Sequence, residues 1–248
     1  MTYSSYPEKV VWRAAVDGTQ RLPLSPPEMM AMLPVISPDA SRIAFVGARP
    51  GHPASIFVVG FNGGELDPIV AVEPAGLIEP TWSPDGNSLA LGSINDNSAL
   101  YRFDFADRKL SVLPGSEHLQ APRWSPDGTS IAATDSRSRK LTLYDLQARR
   151  TSELTDIPSY NPAWGHDGRF LYFGSGTGND AAWYRIRIVD RKRERLVSLA
   201  AAGALPAKPS RGLPTWIYLW TGLTPDDSLL IARELGSIEL YSAVLGER

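Results

Sequence analysis

The chain has 248 residues, with 25 Lys+Arg against 27 Asp+Glu, 43% hydrophobic and 9% aromatic residues. The near-neutral charge gives no global attraction to nucleic acid or an anionic membrane, and zero cysteines exclude a disulfide framework, a thiolate zinc site and a cysteine nucleophile. Glycine and proline, 21 each, exceed ordinary usage without reaching a disordered composition, so the chain is expected to turn often and carry few long helices.

Nothing in the sequence reaches 18 consecutive apolar residues, so no helical membrane span is expected. The start, MTYSSYPEKVVWR, lacks the basic and apolar regions of a signal peptide. Residues 1–28 read as part of a β unit: Val10–Arg13 as a strand, Asp17-Gly18 as its turn, Gln20–Leu24 as the next strand. A repeat then takes over. VISPDASRIAFVGA at Val35 recurs as TWSPDGNSLALGS at Thr81 and RWSPDGTSIAATD at Arg123, then more weakly at Ala163 and Gly222. Its turn aspartates are Asp39, Asp85, Asp127, Asp167 and Asp226, spaced by 46, 42, 40 and 59 residues. The first three intervals fit a propeller blade of about 40–45 residues. An irregular insertion at 200–216 lengthens the last interval.

Each unit parses alike. A strand ends at the tryptophan (Trp82, Trp124, Trp164), and Ser-Pro-Asp-Gly turns the chain, with proline presetting φ and Asp-Gly supplying left-handed geometry. An apolar second strand follows (Ile43–Val46, Leu89–Leu91, Phe170–Phe173), then a loop and a third strand (Ile56–Val59, Leu100–Phe103, Leu141–Tyr144, Trp183–Ile188). A second turn leads to a fourth strand ending near Leu113, Leu154 or Leu199. Four short strands per repeat define an all-β propeller of antiparallel four-stranded blades.

The W-S-P-D-G turn, the I/L-A-apolar strand after it and the later I/L-Y strand resemble the TolB-type (WD-like) β-propeller repeat along nearly the whole chain. The terminal stretches YPEKVVWRAAVDGTQRLPLS and WTGLTPDDSLLIARELGSIELYS are similar to C-terminal sensor propellers of bacterial membrane-anchored serine/threonine kinases and winged-helix regulators. That resemblance implies a non-enzymatic sensing module on the extracytoplasmic side, the alternative location being the cytoplasm. Five visible units plus a partial N-terminal blade give about six blades, read either as the C-terminal part of a longer propeller or as a self-contained ring. Open terminal blades are expected to favour self-association.

Catalytic chemistry has no foothold in these motifs. No G-x-S-x-G pentad occurs. The Gly-rich segment Gly174–Asn179 lacks the P-loop lysine and precedes a strand-like run, so it reads as a loop between strands. The five turn aspartates read as Asx caps, His52, His118 and His166 have no metal-ligand spacing, and the tryptophans read as packing between blades. The basic run Asp190–Arg195 reads as a solvated hairpin tip. No catalytic residue, cofactor or metal is expected, and neither nucleic acid nor membrane insertion; the expected partner is a protein or peptide.

In an antiparallel blade the first-to-second and third-to-fourth turns share one rim, and the longer loops share the other. Binding groups concentrate on loops held by a rigid scaffold. The candidates on that rim are His52, Asn95, Asp96, His118, Arg137, Arg139, Tyr160, Asn179, Asp180 and Trp216. Two other readings stay open: the gating propeller of a prolyl-oligopeptidase-type peptidase, and a propeller hydrolase or lyase with its site in the central channel.

Overall fold

In the computed structural model the described residues are 1–5, 8–69, 76–93, 99–176, 180–198, 221–224, 226–234 and 238–243. They form antiparallel sheets in chain order, four of four strands and two of three. The fold is the all-β propeller expected from the repeat. The insertion at 200–216 lies outside the described residues.

The chain divides into two units, residues 1–124 with 145–150, and residues 125–144 with 151–248. The first unit opens with a sheet of β1 (Thr2–Ser4), β2 (Val11–Arg13) and β3 (Leu22–Pro23). Next come β4 (Met30–Ile36), β5 (Arg42–Ala48), β6 (Ser55–Gly60) and β7 (Asp67–Ile69). A third sheet holds β8 (Leu77–Trp82), β9 (Ser88–Ser93), β10 (Tyr101–Asp104) and β11 (Lys109–Val112). The division passes through the sheet of β12 (Leu119–Trp124), β13 (Ser130–Asp135), β14 (Leu141–Asp145) and β15 (Arg150–Glu153). The second unit continues with β16 (Tyr160–Trp164), β17 (Phe170–Ser175), β18 (Ala182–Arg187) and β19 (Arg193–Ser198). It ends with β20 (Thr221–Leu223), β21 (Leu229–Glu234) and β22 (Ile238–Ala243). The sequence reading missed β1, whose three residues pair with β2 through Thr2–Arg13, Tyr3–Trp12 and Ser4–Val11.

Two-residue periodicity divides each central strand between two cores. On β5, Ile43 and Phe45 face a cluster with Val11 of the first sheet and with Leu24 and Met29 of the segment between β3 and β4. Ala44 and Val46, one residue out of phase, face Leu77, Trp82, Leu89 and Leu91 of the third sheet. The same division holds on β6, with Phe57 and Val59 on one side and Ile56 and Val58 on the other. In the second unit, Leu171 and Phe173 of β17 join Ala132, Leu141 and Leu154, while Tyr172 joins Trp183 and Leu229. Burial on both faces explains why these strands read as continuous apolar runs.

The turn after each first strand is a repeated polar device. Ser37, Ser83 and Ser125 donate from Oγ to Oδ1 of Asp39, Asp85 and Asp127 at 2.6, 2.5 and 2.6 Å. Those hydroxyls accept the N–H of Arg42, Ser88 and Ser130 at 2.9, 2.9 and 3.0 Å. The carboxylates accept the N–H of Ser41, Asn87 and Thr129 at 3.1, 3.0 and 3.0 Å. Hydrogen bonds from the serine hydroxyls, foremost, hold all three carboxyls below the usual range. The aspartates are therefore Asx caps, as expected. The two turns of one blade also meet on one rim: Phe61, Phe105 and Ile188 donate N–H to the carbonyls of Ser41, Asn87 and Arg169 at 2.8, 3.1 and 3.0 Å.

The tryptophans pack between neighbouring sheets. Trp82 Nε1 donates to the Val35 carbonyl of the preceding first strand at 3.1 Å. Arg42 lies 4.7 Å from the Trp82 ring centroid and 4.6 Å from that of Phe105, and donates to the Gly86 carbonyl at 2.6 Å. Trp124 accepts Arg102 over its ring at 5.8 Å, and Trp164 packs against the Ala132–Leu141 cluster. Arg108 clasps Asp67 of the preceding sheet with two bonds of 2.9 Å.

Two turns depart from the rule. Gly86, Gly128 and Gly168 occupy the left-handed region at φ 70°, 76° and 69°, but the first copy places Ala40 there at φ 54° and the fifth Asp227 at φ 60°. A Cβ in that region costs about 1 kcal/mol. Ala40→Gly is accordingly expected to raise the melting temperature by about 2–4 °C, read by circular dichroism. A lower value would show that the turn gains nothing from glycine.

Candidate functional site

The second unit assembles a continuous piece of the loop rim. Asp135 Oδ1 accepts the N–H groups of Arg137 and Ser138 at 3.0 and 2.7 Å, fixing the β13–β14 loop. The Arg139 carbonyl accepts the Ser159 N–H at 2.7 Å, which ties that loop to the β15–β16 connection. From the other side Ser175 Oγ donates to the Pro158 carbonyl at 2.6 Å. Ser159 itself is buried, its Oγ donating to the Ile157 carbonyl at 2.9 Å. A rigid seam thus carries the exposed side chains of Arg137 and Arg139.

Tyr160 completes this surface. It is the first residue of β16. Its ring lies over Gly174, where a Cβ would come 2.1 Å from Tyr160 Cε2. It meets Trp183 edge-on at 6.4 Å and 82°, and its hydroxyl donates to the Gly176 carbonyl at 3.4 Å. Burial pushes the phenol up from its ordinary range, so it stays neutral. Gly176, at φ 84°, lets the chain fold back on itself, because a Cβ there would come 2.6 Å from the Asp180 carbonyl. Of the segment Gly174–Asn179, read from sequence as a loop, Gly174 and Ser175 are instead strand residues of β17, paired with Trp183 and Ala182 of β18; Gly176 lies beyond the strand, and 177–179 lie outside the described residues. Asp180 is exposed at its end.

The remaining candidates separate from this group. His52 and His118 lie in the first unit: His52 is exposed and its N–H closes a turn on the Arg49 carbonyl at 3.0 Å, whereas His118 is half-buried at φ 67°. Among the described residues no bond joins the two. Asn95, Asp96, Asn179 and Trp216 lie outside the described residues. His166 sits in a blade turn, and its Nδ1 is 2.6 Å from Oδ1 of Asp227 in the following sheet's turn. The basic run at 190–195 is more than a solvated tip. Arg191 donates to the carbonyl of Glu153, the last residue of β15, at 2.8 Å, and Arg193 reaches Asp156 in the connection that follows.

A second constellation escaped the sequence reading. Leu33, Glu79, Ala121 and Asn161 adopt left-handed φ of 56°, 54°, 54° and 51°, and each precedes a proline. Those prolines lie five residues before the turn aspartate in four copies, a signal visible in the sequence. Proline cannot donate to the ladder, so the strand bulges there. The register shifts between Met32 and Val35, Ile78 and Thr81, and Tyr160 and Ala163. Glu79 and Ala121 are strand residues of β8 and β12. Within the first unit β8 packs against both β4 and β12, so these bulges lie along adjoining first strands.

Glu79 is the one carboxylate among the four. Its side chain is 11% exposed, and Arg123 Nη1 stands 3.6 Å from Oε2 with a side chain 30% exposed. That nitrogen donates to the Pro122 carbonyl at 2.7 Å, and Oε2 is buried with no hydrogen-bond partner. Burial raises the Glu79 carboxyl above its ordinary range, outweighing the opposing pull of Arg123. Among the described residues, no group of three or more His, Asp and Glu side chains is placed to hold a metal ion, and no helix is long and apolar enough to cross a membrane.

Comparison with solved structures places the fold among TolB-like propellers. TolB from Acinetobacter baumannii superposes with a TM-score of 0.76 at 18% identity, over 97% of this chain and 60% of that one. A putative TolB from Agrobacterium tumefaciens gives 0.65 at 20% identity, over 77% and 74%. A chain of a nidogen/laminin complex gives 0.72 at 9% identity, over 97% and 88%. By sequence, 142 residues are 26% identical to an uncharacterized peptidase, YuxL, of Bacillus subtilis (strain 168). The match spans 56% of this chain and about a fifth (21%) of that relative's length. No family model matches the chain.

The raised Glu79 carboxyl has a stability consequence. A group that holds its proton more tightly when folded contributes fully below its unfolded pKa, and that contribution is lost as pH rises through the folded one. Glu79→Gln removes the ionisation, so its melting temperature relative to the parent is expected to climb from pH 5 to pH 8. A falling difference would mean that the ion pair with Arg123 outweighs desolvation.

Proposed function

We propose that this chain is a non-enzymatic binding and sensing propeller that recognises a protein, peptide or cell-envelope ligand through its loop rim. The observation that carries the reading is the seam at Arg139–Ser159 and Pro158–Ser175, which holds Arg137, Arg139, Tyr160 and Asp180 on one surface. Tyrosine and arginine are the residue types that dominate binding energy at interfaces. A rigid seam lowers the ordering entropy that binding must overcome. The opposite rim consists of short turns whose polar groups satisfy one another, which leaves them little to offer a partner.

The resemblance to sensor propellers supports placing the chain on the extracytoplasmic side of a larger bacterial regulator, with a kinase or winged-helix output domain elsewhere in the polypeptide. The likeness to TolB and to a chain of the nidogen/laminin complex supports partner binding at the level of the fold. A second reading has its own observation. The stretch shared with the peptidase-named YuxL favours a gating propeller beside a hydrolase domain. The two readings differ in what the full coding sequence contains: a kinase or DNA-binding domain with a membrane helix, or a domain carrying G-x-S-x-G.

Combined replacement of Arg137, Arg139, Tyr160 and Asp180 by alanine is expected to weaken partner capture from an envelope extract at least tenfold. Replacing the exposed turn residues Asp107, Gln147 and Lys192 is expected to leave capture unchanged. The reverse pattern would assign binding to the turn rim and overturn the reading.

A further inference from the structure

The bulge on β8 combines three features that ordinary packing does not ask for. The backbone at Glu79 is in the left-handed region, at φ 54°, immediately before Pro80. The equivalent bulges carry the uncharged residues Leu33, Ala121 and Asn161, so the repeat itself does not require a carboxylate there. Glu79 Oε2 is sealed from solvent yet accepts no hydrogen bond. An unsatisfied buried acceptor costs about 1–3 kcal/mol, and more when charged. Glutamine or leucine at this position would avoid the charge.

Arg123 does not resolve the deficit. At 3.6 Å from Oε2 its Nη1 is beyond hydrogen-bonding distance, and that nitrogen already serves the Pro122 carbonyl at 2.7 Å. Its side chain is also the more exposed of the pair, at 30% against 11%, so an incoming group meets the guanidinium before the carboxylate. A neutral donor recovers little of what it costs to bury a carboxylate, whereas a cation brings a charge-assisted bond. The cation must sit on a narrow stem to reach so buried an oxygen, and lysine and arginine carry their charge on such stems.

We infer that Glu79, on the bulged first strand β8, is the specificity group of a site for a lysine or arginine side chain carried by a peptide ligand, with Arg123 as the gate that yields to it. The cation donates to Oε2, and Arg123 turns from the carboxylate toward the ligand's carbonyl oxygens. This site uses none of the residues proposed above for the loop rim and stands or falls separately from it.

Three capped pentapeptides, identical but for a central arginine, lysine or norleucine, supply the probes for calorimetric titration. The arginine and lysine probes are expected to bind the parent protein at least tenfold more tightly than the norleucine probe. Glu79→Gln is expected to remove that preference while leaving the norleucine probe unchanged, with Glu79→Asp as a second variant that keeps the charge but withdraws it by one methylene. Arg137→Ala with Arg139→Ala is expected to bind all three probes as the parent does, whatever becomes of partner capture. Equal binding of the three probes, no binding of the cationic ones, or a preference that survives in both Glu79 variants would overturn the inference.

Discussion

The constraint on which this molecule rests is that its central strands are buried on both faces. Ile43 and Phe45 leave β5 on one side, Ala44 and Val46 on the other, and each pair lies in a different core. No sheet here can satisfy itself, because each face needs the face of a neighbour. Removing one such side chain from water is worth about 1.5–3 kcal/mol, and the sharing of cores makes that gain available only when consecutive sheets stack. The links between sheets follow from this demand. Trp82 fills a gap in the core while its indole N–H serves the Val35 carbonyl, and Arg42 lies against that indole with its charge on the Gly86 carbonyl.

Stacking leaves the polar work to the ends of the strands, and the two ends handle it differently. At the turn rim a buried serine hydroxyl donates to an aspartate and accepts a backbone N–H, so the groups close on one another. At the loop rim the bonds run between loops, as from Ser159 to Arg139 and from Ser175 to Pro158, and the longer side chains are left facing outward. One end is therefore chemically spent, and the recognition proposed here falls to the other. The bulged first strands are a third environment, where proline has removed a ladder donor and the chain has gone left-handed to accommodate it.

Much of this was legible because local chemistry repeats. The turn aspartate, followed by glycine in three of the five copies, brings its own hydrogen bonds, so the five aspartates, the strand phases and the packing role of the tryptophans could be read directly. What escaped depended on partners remote in sequence. Thr2–Ser4 has no apolar alternation and becomes a strand because β2 pairs with it. Arg191 and Arg193 resemble a solvated tip until the preceding sheet supplies the Glu153 carbonyl and Asp156. The repeated X-Pro pair was visible, but its left-handed bulge and the buried Glu79 Oε2 that accepts no hydrogen bond emerge only when β8 lies beside β12. Of the rim candidates, Arg137, Arg139, Tyr160 and Asp180 gather on one seam, whereas His52 and His118 do not join each other.

The division of labour between the two rims is most directly tested by hydrogen–deuterium exchange of the protein with and without its captured partner. Added protection is expected in residues 135–140, 156–160 and 174–182, with residues 37–41, 83–87 and 125–129 unchanged. Protection confined to those turn segments would contradict the assignment of recognition to the loop rim.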